Sequence, residues 1–171
     1  MRGIWNFAPV FFLALVLVGT GCEHPGGQSV PAGDRNSELF SLYKPYGAAK
    51  LDITPLTGFV VGGERVSRIK AYVSLVDSFD CQIKSPGTFR FELYERVEAS
   101  SERKGGRIAI WPDVDLTEVG ENSGYWRDFL RAYEFNLDFE PQRNRRYILQ
   151  VTCLCPTGVR LTGDFAIEYS P

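Results

Sequence analysis

One short stretch fixes most of what this chain is able to become. From Tyr133 to Glu140 the residues alternate without a break, with Tyr133, Phe135, Leu137 and Phe139 set against Glu134, Asn136, Asp138 and Glu140. Side chains of an extended strand point to opposite faces in turn, so a period of two builds one buried face and one wet face. A helix would scatter the same residues around its circumference. The stretch reads as a strand that covers a core on one side and meets water on the other, the antiparallel pattern.

The same period recurs along the chain. Ala49 to Ile53 alternates, stops at Pro55 and resumes weakly from Phe59 to Val61 before Gly62-Gly63. Ile69, Ala71, Val73 and Leu75 oppose Arg68, Lys70, Tyr72 and Ser74. Phe89, Phe91 and Leu93 oppose Arg90, Glu92 and Tyr94, and Ile108 and Ile110 follow the loop from Ser100 to Gly106. Tyr147, Leu149, Val151 and Cys153 repeat the pattern. After the turn Pro156-Thr157-Gly158 a last strand is expected from Val159 to Tyr169, with a bulge at Gly163. An aromatic share of 13% and a single Met favour strand over helix. About seven strands with turn signals between them predict an all-β fold, an immunoglobulin-like antiparallel sandwich. Ser37 to Tyr43 is read as one helical turn capped by Ser37. Tyr125 to Leu130 is read as a short helix or an aromatic edge, with Trp126 and Phe129 plugging the core. The alternative for that pair is a surface patch that meets a sugar or a protein.

One segment carries a resemblance. Tyr72 to Glu95, YVSLVDSFDCQIKSPGTFRFELYE, is similar to the strand-turn-strand of transthyretin-like and carboxypeptidase-regulatory-like sandwich domains. Asp77, Ile83, Gly87 and Phe89 stand in comparable places, and Cys81 stands where that pattern has a small turn residue. The resemblance implies an adhesive or accessory module without catalysis of its own.

The beginning of the chain supplies an address. Arg2, an apolar run from Phe7 to Val18, and then Gly19-Thr20-Gly21-Cys22 are the three parts of a secretory signal peptide. A cysteine directly after the small residues resembles the lipobox of bacterial lipoproteins, in which that cysteine is lipidated and becomes the new N-terminus. Gly19 and Gly21 equally satisfy the small-x-small rule of ordinary cleavage, so plain secretion is the alternative. Pro9 interrupts the apolar run, leaving it too short to span a bilayer as a helix. The expected division is a signal peptide at 1–21, a lipidated Cys22 with a polar tether at 22–37, and one sandwich domain at 38–171. The protein is then exported and anchored to a bacterial membrane in the cell envelope, with membrane lipid as a partner through Cys22.

Charge and composition exclude several functions. Loss of Arg2 with the leader takes the 19 basic residues to 18 against 21 acids, a formal charge of −3 with the bases scattered. Nucleic-acid binding needs a basic patch or stripe, so no nucleic acid is expected. The single histidine, His24, lies in the tether, which removes histidine triads and histidine metal clusters from the domain. No phosphate-cradling glycine loop or nucleophile elbow is present, and no cofactor is expected.

Cysteines and acids remain as candidates. A disulfide between Cys81 and Cys155 is favoured, with Cys153 as an inert core thiol; closing that loop would stabilise the fold by about 2–4 kcal/mol. Three buried or free thiols are the alternative, and a zinc site lacks its fourth ligand. Asp113, Asp115 and Glu118 gather beside Trp111 as a weak calcium candidate, since hard cations want several oxygens. The leading functional expectation is a non-catalytic accessory or binding module with a protein or glycan partner in the envelope. The alternatives are a small glycan-acting enzyme using Asp113 and Asp115, and a structural subunit of an envelope assembly. The last would show an unpaired strand edge or an apolar patch.

Overall fold

The computed structural model describes residues 41–62, 66–97 and 103–169. The expected signal peptide, Cys22 and the polar tether lie outside the described residues. So does most of the expected turn at Ser37–Tyr43, of which Ser41 to Tyr43 are helical.

Eleven strands are present among the described residues. After a 3-10 turn at Lys44–Tyr46 come β1 (Lys50–Ile53), β2 (Gly58–Gly62), β3 (Val66–Val76), β4 (Gln82–Ile83), β5 (Thr88–Arg96), β6 (Lys104–Ile110) and β7 (Val114–Asp115). A short helix α1 (Val119–Tyr125) leads into β8 (Trp126–Arg127), β9 (Ala132–Asp138), β10 (Arg146–Leu154) and β11 (Arg160–Glu168). They form two antiparallel sheets, so the expected all-β sandwich is the observed fold. One sheet runs β1-β3-β9-β8, with β2 and β4 also on β3; the other runs β11-β10-β5-β6, with β7 also on β5. The count exceeds seven because β4, β7 and β8 are two residues each, too short to show a period.

The inward faces are those that alternation assigned. Ile69, Ala71, Val73 and Leu75 of β3 are sealed from solvent, as are Phe89, Phe91 and Leu93 of β5 and Leu149, Val151 and Cys153 of β10. Phe135 sits at the centre, its ring 4.6 Å from Phe91, 5.2 Å from Phe89 and 5.2 Å from Tyr125. Each such side chain contributes about 1.5–3 kcal/mol by leaving water, and tilted aromatic contacts add to that.

Pairing settles the face of β6 and corrects one expectation, the bulge at Gly163. Ile108 and Ile110 do not face the core; they are 47% and 52% exposed. In β6 it is Ala109 that lies opposite the inward Leu93, while Ile110 lies opposite the outward Glu92. The register then shifts between Leu93 and Tyr94, so the apolar alternation of this edge strand does not track the core. Gly163 is not a bulge: β10 and β11 pair without interruption, Val151 opposite Gly163. A Cβ at Gly163 would stand 2.9 Å from Leu51 Cδ2 and 3.2 Å from Leu51 O, so the glycine is where β1 of one sheet closes onto β11 of the other.

The segment from Tyr72 to Glu95 crosses from one sheet to the other. β3 ends at the buried Asp77, whose Oδ1 accepts the N–H groups of Phe79 (2.8 Å) and Cys81 (2.9 Å) and so closes the turn. Ile83 returns in β4 opposite Leu75, and the chain then passes through Gly87 into β5. A Cβ on Gly87 would come within 2.6 Å of Cys153 Sγ.

Candidate functional site

The pairing of β9 leaves a flank open. On one side β9 pairs with β3 from Tyr133 to Asp138. On the other, β8 pairs only with Ala132 and Tyr133, so among the described residues Glu134 to Asp138 have no strand beside them on that flank. β8 is brief because α1 runs directly into it, and Arg131 at φ 51, four residues after Arg127, closes the hairpin. Trp111 caps the far end, its indole N–H donating to the Asp138 carbonyl at 3.1 Å.

Along this flank lies a groove of about 390 Å³ with walls from both sheets and the end of α1. Val114, Tyr125, Phe135 and Leu137 give it an apolar lining, and Arg127, Glu134 and Asn136 a polar rim. Arg127 is held by Glu134 Oε2 at 3.2 Å and by the Gly124 carbonyl at 2.8 Å. Burial pushes the Glu134 carboxyl up, but Lys70 at 3.5 Å and Arg127 outweigh it and hold it below its ordinary value.

A second hollow, of about 260 Å³, opens between Lys84–Pro86 and α1. Its floor is a closed polar network. The Ser85 N–H donates to Tyr133 Oη at 3.0 Å, and Tyr133 Oη lies 3.0 Å from both Ser85 O and Asn122 Oδ1. Asn122 Nδ2 donates to Leu116 O at 2.9 Å and to Ser85 O at 3.1 Å. Every member is satisfied, and burial pushes the Tyr133 hydroxyl up in pKa, so the network is a plug that pins α1 to the sandwich.

The acids named from the sequence do not converge. Asp113 is spent on Arg90, Nε to Oδ1 at 2.9 Å and Nη2 to Oδ2 at 2.7 Å, and this hydrogen bonding holds its carboxyl below the ordinary value. A general acid needs the opposite shift. Asp115 turns back to its own loop, accepting the Thr117 N–H at 3.0 Å, and Glu118 is exposed at the start of α1. Among the described residues no group of three carboxylates, thiols or imidazoles is placed to hold a cation, so the calcium candidate Asp113, Asp115 and Glu118 does not assemble.

The thiols are likewise separate. Cys81 is exposed in the Asp77 turn, its thiol 3.8 Å from Phe79 O, and carries no bridge. Cys155 is unbridged and buried beside Cys153 at the end of β10. Burial pushes both up in pKa, Cys153 the further because Cys155 adds to it. The expected Cys81–Cys155 bond is thus not formed, the two sulfurs having different surroundings.

The aromatic pair at 126 and 129 splits. Trp126 packs edge-on against Tyr133 at 5.0 Å, whereas Phe129 is 83% exposed at the tip of the β8–β9 turn. Among the described residues no helix is long and apolar enough to cross a membrane. Compared with protein-family models, with curated proteins and with solved structures, the chain matches none.

Proposed function

We propose that the chain is a non-catalytic binding module of the bacterial envelope, held to a membrane through a lipidated Cys22, which takes an extended polypeptide segment along the open flank of β9. The observation that carries this reading is the run from Glu134 to Asp138, without a neighbouring strand among the described residues, beside a groove lined by Val114, Tyr125, Phe135 and Leu137. A free strand edge presents a row of backbone donors and acceptors, and the ligand that satisfies such a row is another extended chain. The alternating side chains of that chain would reach the apolar wall and the rim in turn. The engagement of Asp113 by Arg90 weighs against a glycan-cleaving acid at that residue.

A photo-cross-linking side chain at position 136, which borders the groove, tests the reading in cells. Adducts to a discrete protein partner from position 136, and none from position 162 on β11, are the expected result. Equal adduct patterns from both positions would overturn it.

A further inference from the structure

We propose that an aromatic patch formed by Leu42, Tyr43, Tyr46 and Phe79 rests on the bilayer interface, so that the domain lies on the membrane in a fixed pose instead of swinging free; this rests on the lipid-anchor reading of Cys22. The four side chains are between 58% and 68% exposed. They come from two segments drawn together by the Ser78 N–H donating to Pro45 O at 3.2 Å, with the Tyr46 and Phe79 rings 5.4 Å apart. Large apolar side chains exposed in a group mark a surface that something else covers.

Where the patch lies argues for what covers it. Ser41, at its border, is nineteen peptide steps from Cys22, so a lipid on Cys22 is at most about 65 Å away even along a fully stretched chain. The patch thus sits where the domain meets its own attachment. Its chemistry fits a headgroup layer: two tyrosines with apolar rings and polar tips, a phenylalanine and a leucine to enter the acyl boundary, and the exposed Lys44 for anionic phosphates. Asp80 is the one exposed acid in the same turn. The patch lies at the Val76 end of β3, and β9 pairs with β3 so that Ala132 is near that end and Asp138 far from it. On the bilayer, the open flank of β9 would rise away from the lipid, accessible to a partner.

The native Cys81, exposed two residues from Phe79, is a ready probe. The full lipidated protein is labelled there with a fluorophore, placed in vesicles of phosphatidylethanolamine and phosphatidylglycerol, and read against spin labels on the lipid headgroups. A Cys81→Ser, Glu140→Cys variant carries the label to the other end of β9. Strong quenching at position 81, weak quenching at 140, and loss of the difference in a Tyr43→Ser, Phe79→Ser variant are expected. Lipidated protein quenched alike at both positions overturns the patch alone. A mass spectrum showing Cys22 without lipid overturns the anchor and the patch with it.

Discussion

Arg127 reaches back across the β8–β9 hairpin to Glu134, Nε to Oε2 at 3.2 Å, while Lys70 approaches the same carboxylate at 3.5 Å from β3. Glu134 therefore sits between two cations on the rim of the open flank, with its side chain only 14% exposed. Burial alone would raise its pKa, and the two cations bring it below the ordinary carboxylate value. A carboxylate with a depressed folded-state pKa stabilises the fold above its unfolded pKa and loses that contribution as pH falls through the folded value. Stability should decline as pH drops below about 4, and Glu134→Gln should be less stable at neutral pH with a shallower acid decline. Chemical melts of both proteins from pH 7 to pH 2.5 check this; parallel curves would refute it.

The same residue limits what alternation reveals. Phe135→Asp should unfold the domain, since an unpaired buried carboxylate costs several kcal/mol against a total of about 5–15. Alternation places Glu134 on the wet face, where a substitution shifts stability by about 0.5 kcal/mol at most. The ion pairs change that: Glu134→Lys sets a third cation beside Lys70 and Arg127 and should cost about 1–3 kcal/mol. A melt that finds Glu134→Lys neutral would mean the pairs contribute nothing.

Gly163 should resist the smallest enlargement. A Cβ there meets Leu51 Cδ2 at 2.9 Å and the Leu51 carbonyl oxygen at 3.2 Å, and the backbone has little room to yield. Gly163→Ala should cost about 1–3 kcal/mol through this crowding. Gly58→Ala, where a Cβ meets nothing within 4 Å, is the control. Equal melts for the two variants would contradict the close approach of β1 to β11.

The strands of the core were legible because β3, β5, β9 and β10 are long enough to show a period. The inward face of β6 was not legible for a physical reason: the alternation of Ile108 and Ile110 gives a period but not which face is inward, and pairing with β5 decided that. Gly163 reads as a bulge or a close approach with equal right from sequence, and only the position of Leu51 separates them. The open flank left no sequence signal, since an edge exists by virtue of which strand fails to pair. The patch was equally hidden, because Tyr46 and Phe79 meet only after the Asp77 turn has folded.

Cysteine chemistry gives a further check. Cys81 is exposed, whereas burial raises the pKa of Cys153 and Cys155 and keeps reagent away. Native protein at pH 8 should alkylate at Cys81 alone within minutes, and all three sites should react in denaturant. Blocked Cys81 and Cys155 in unreduced protein would restore the disulfide reading.

Cys22→Ser should move the protein from the membrane fraction to the soluble exported fraction without lowering its melting temperature. The aromatic patch would then leave only a weak, wash-sensitive association, because apolar contact without an acyl chain is readily reversible. Retention of the serine variant through a salt wash would rule out lipid at Cys22 as the anchor.

The most direct test of a binding flank is to fill it. Gly124 borders the groove, and a Cβ there meets nothing within 4 Å, as is true of Gly120 on the same helix but away from the groove. Gly124→Trp should therefore occupy the groove without disturbing the fold and should cut adduct yield from position 136 by about tenfold or more, equivalent to about 1.4 kcal/mol of lost binding. Gly120→Trp should leave the yield within about twofold. Undiminished adducts with Gly124→Trp, in protein that melts like the parent, would contradict strand addition along β9.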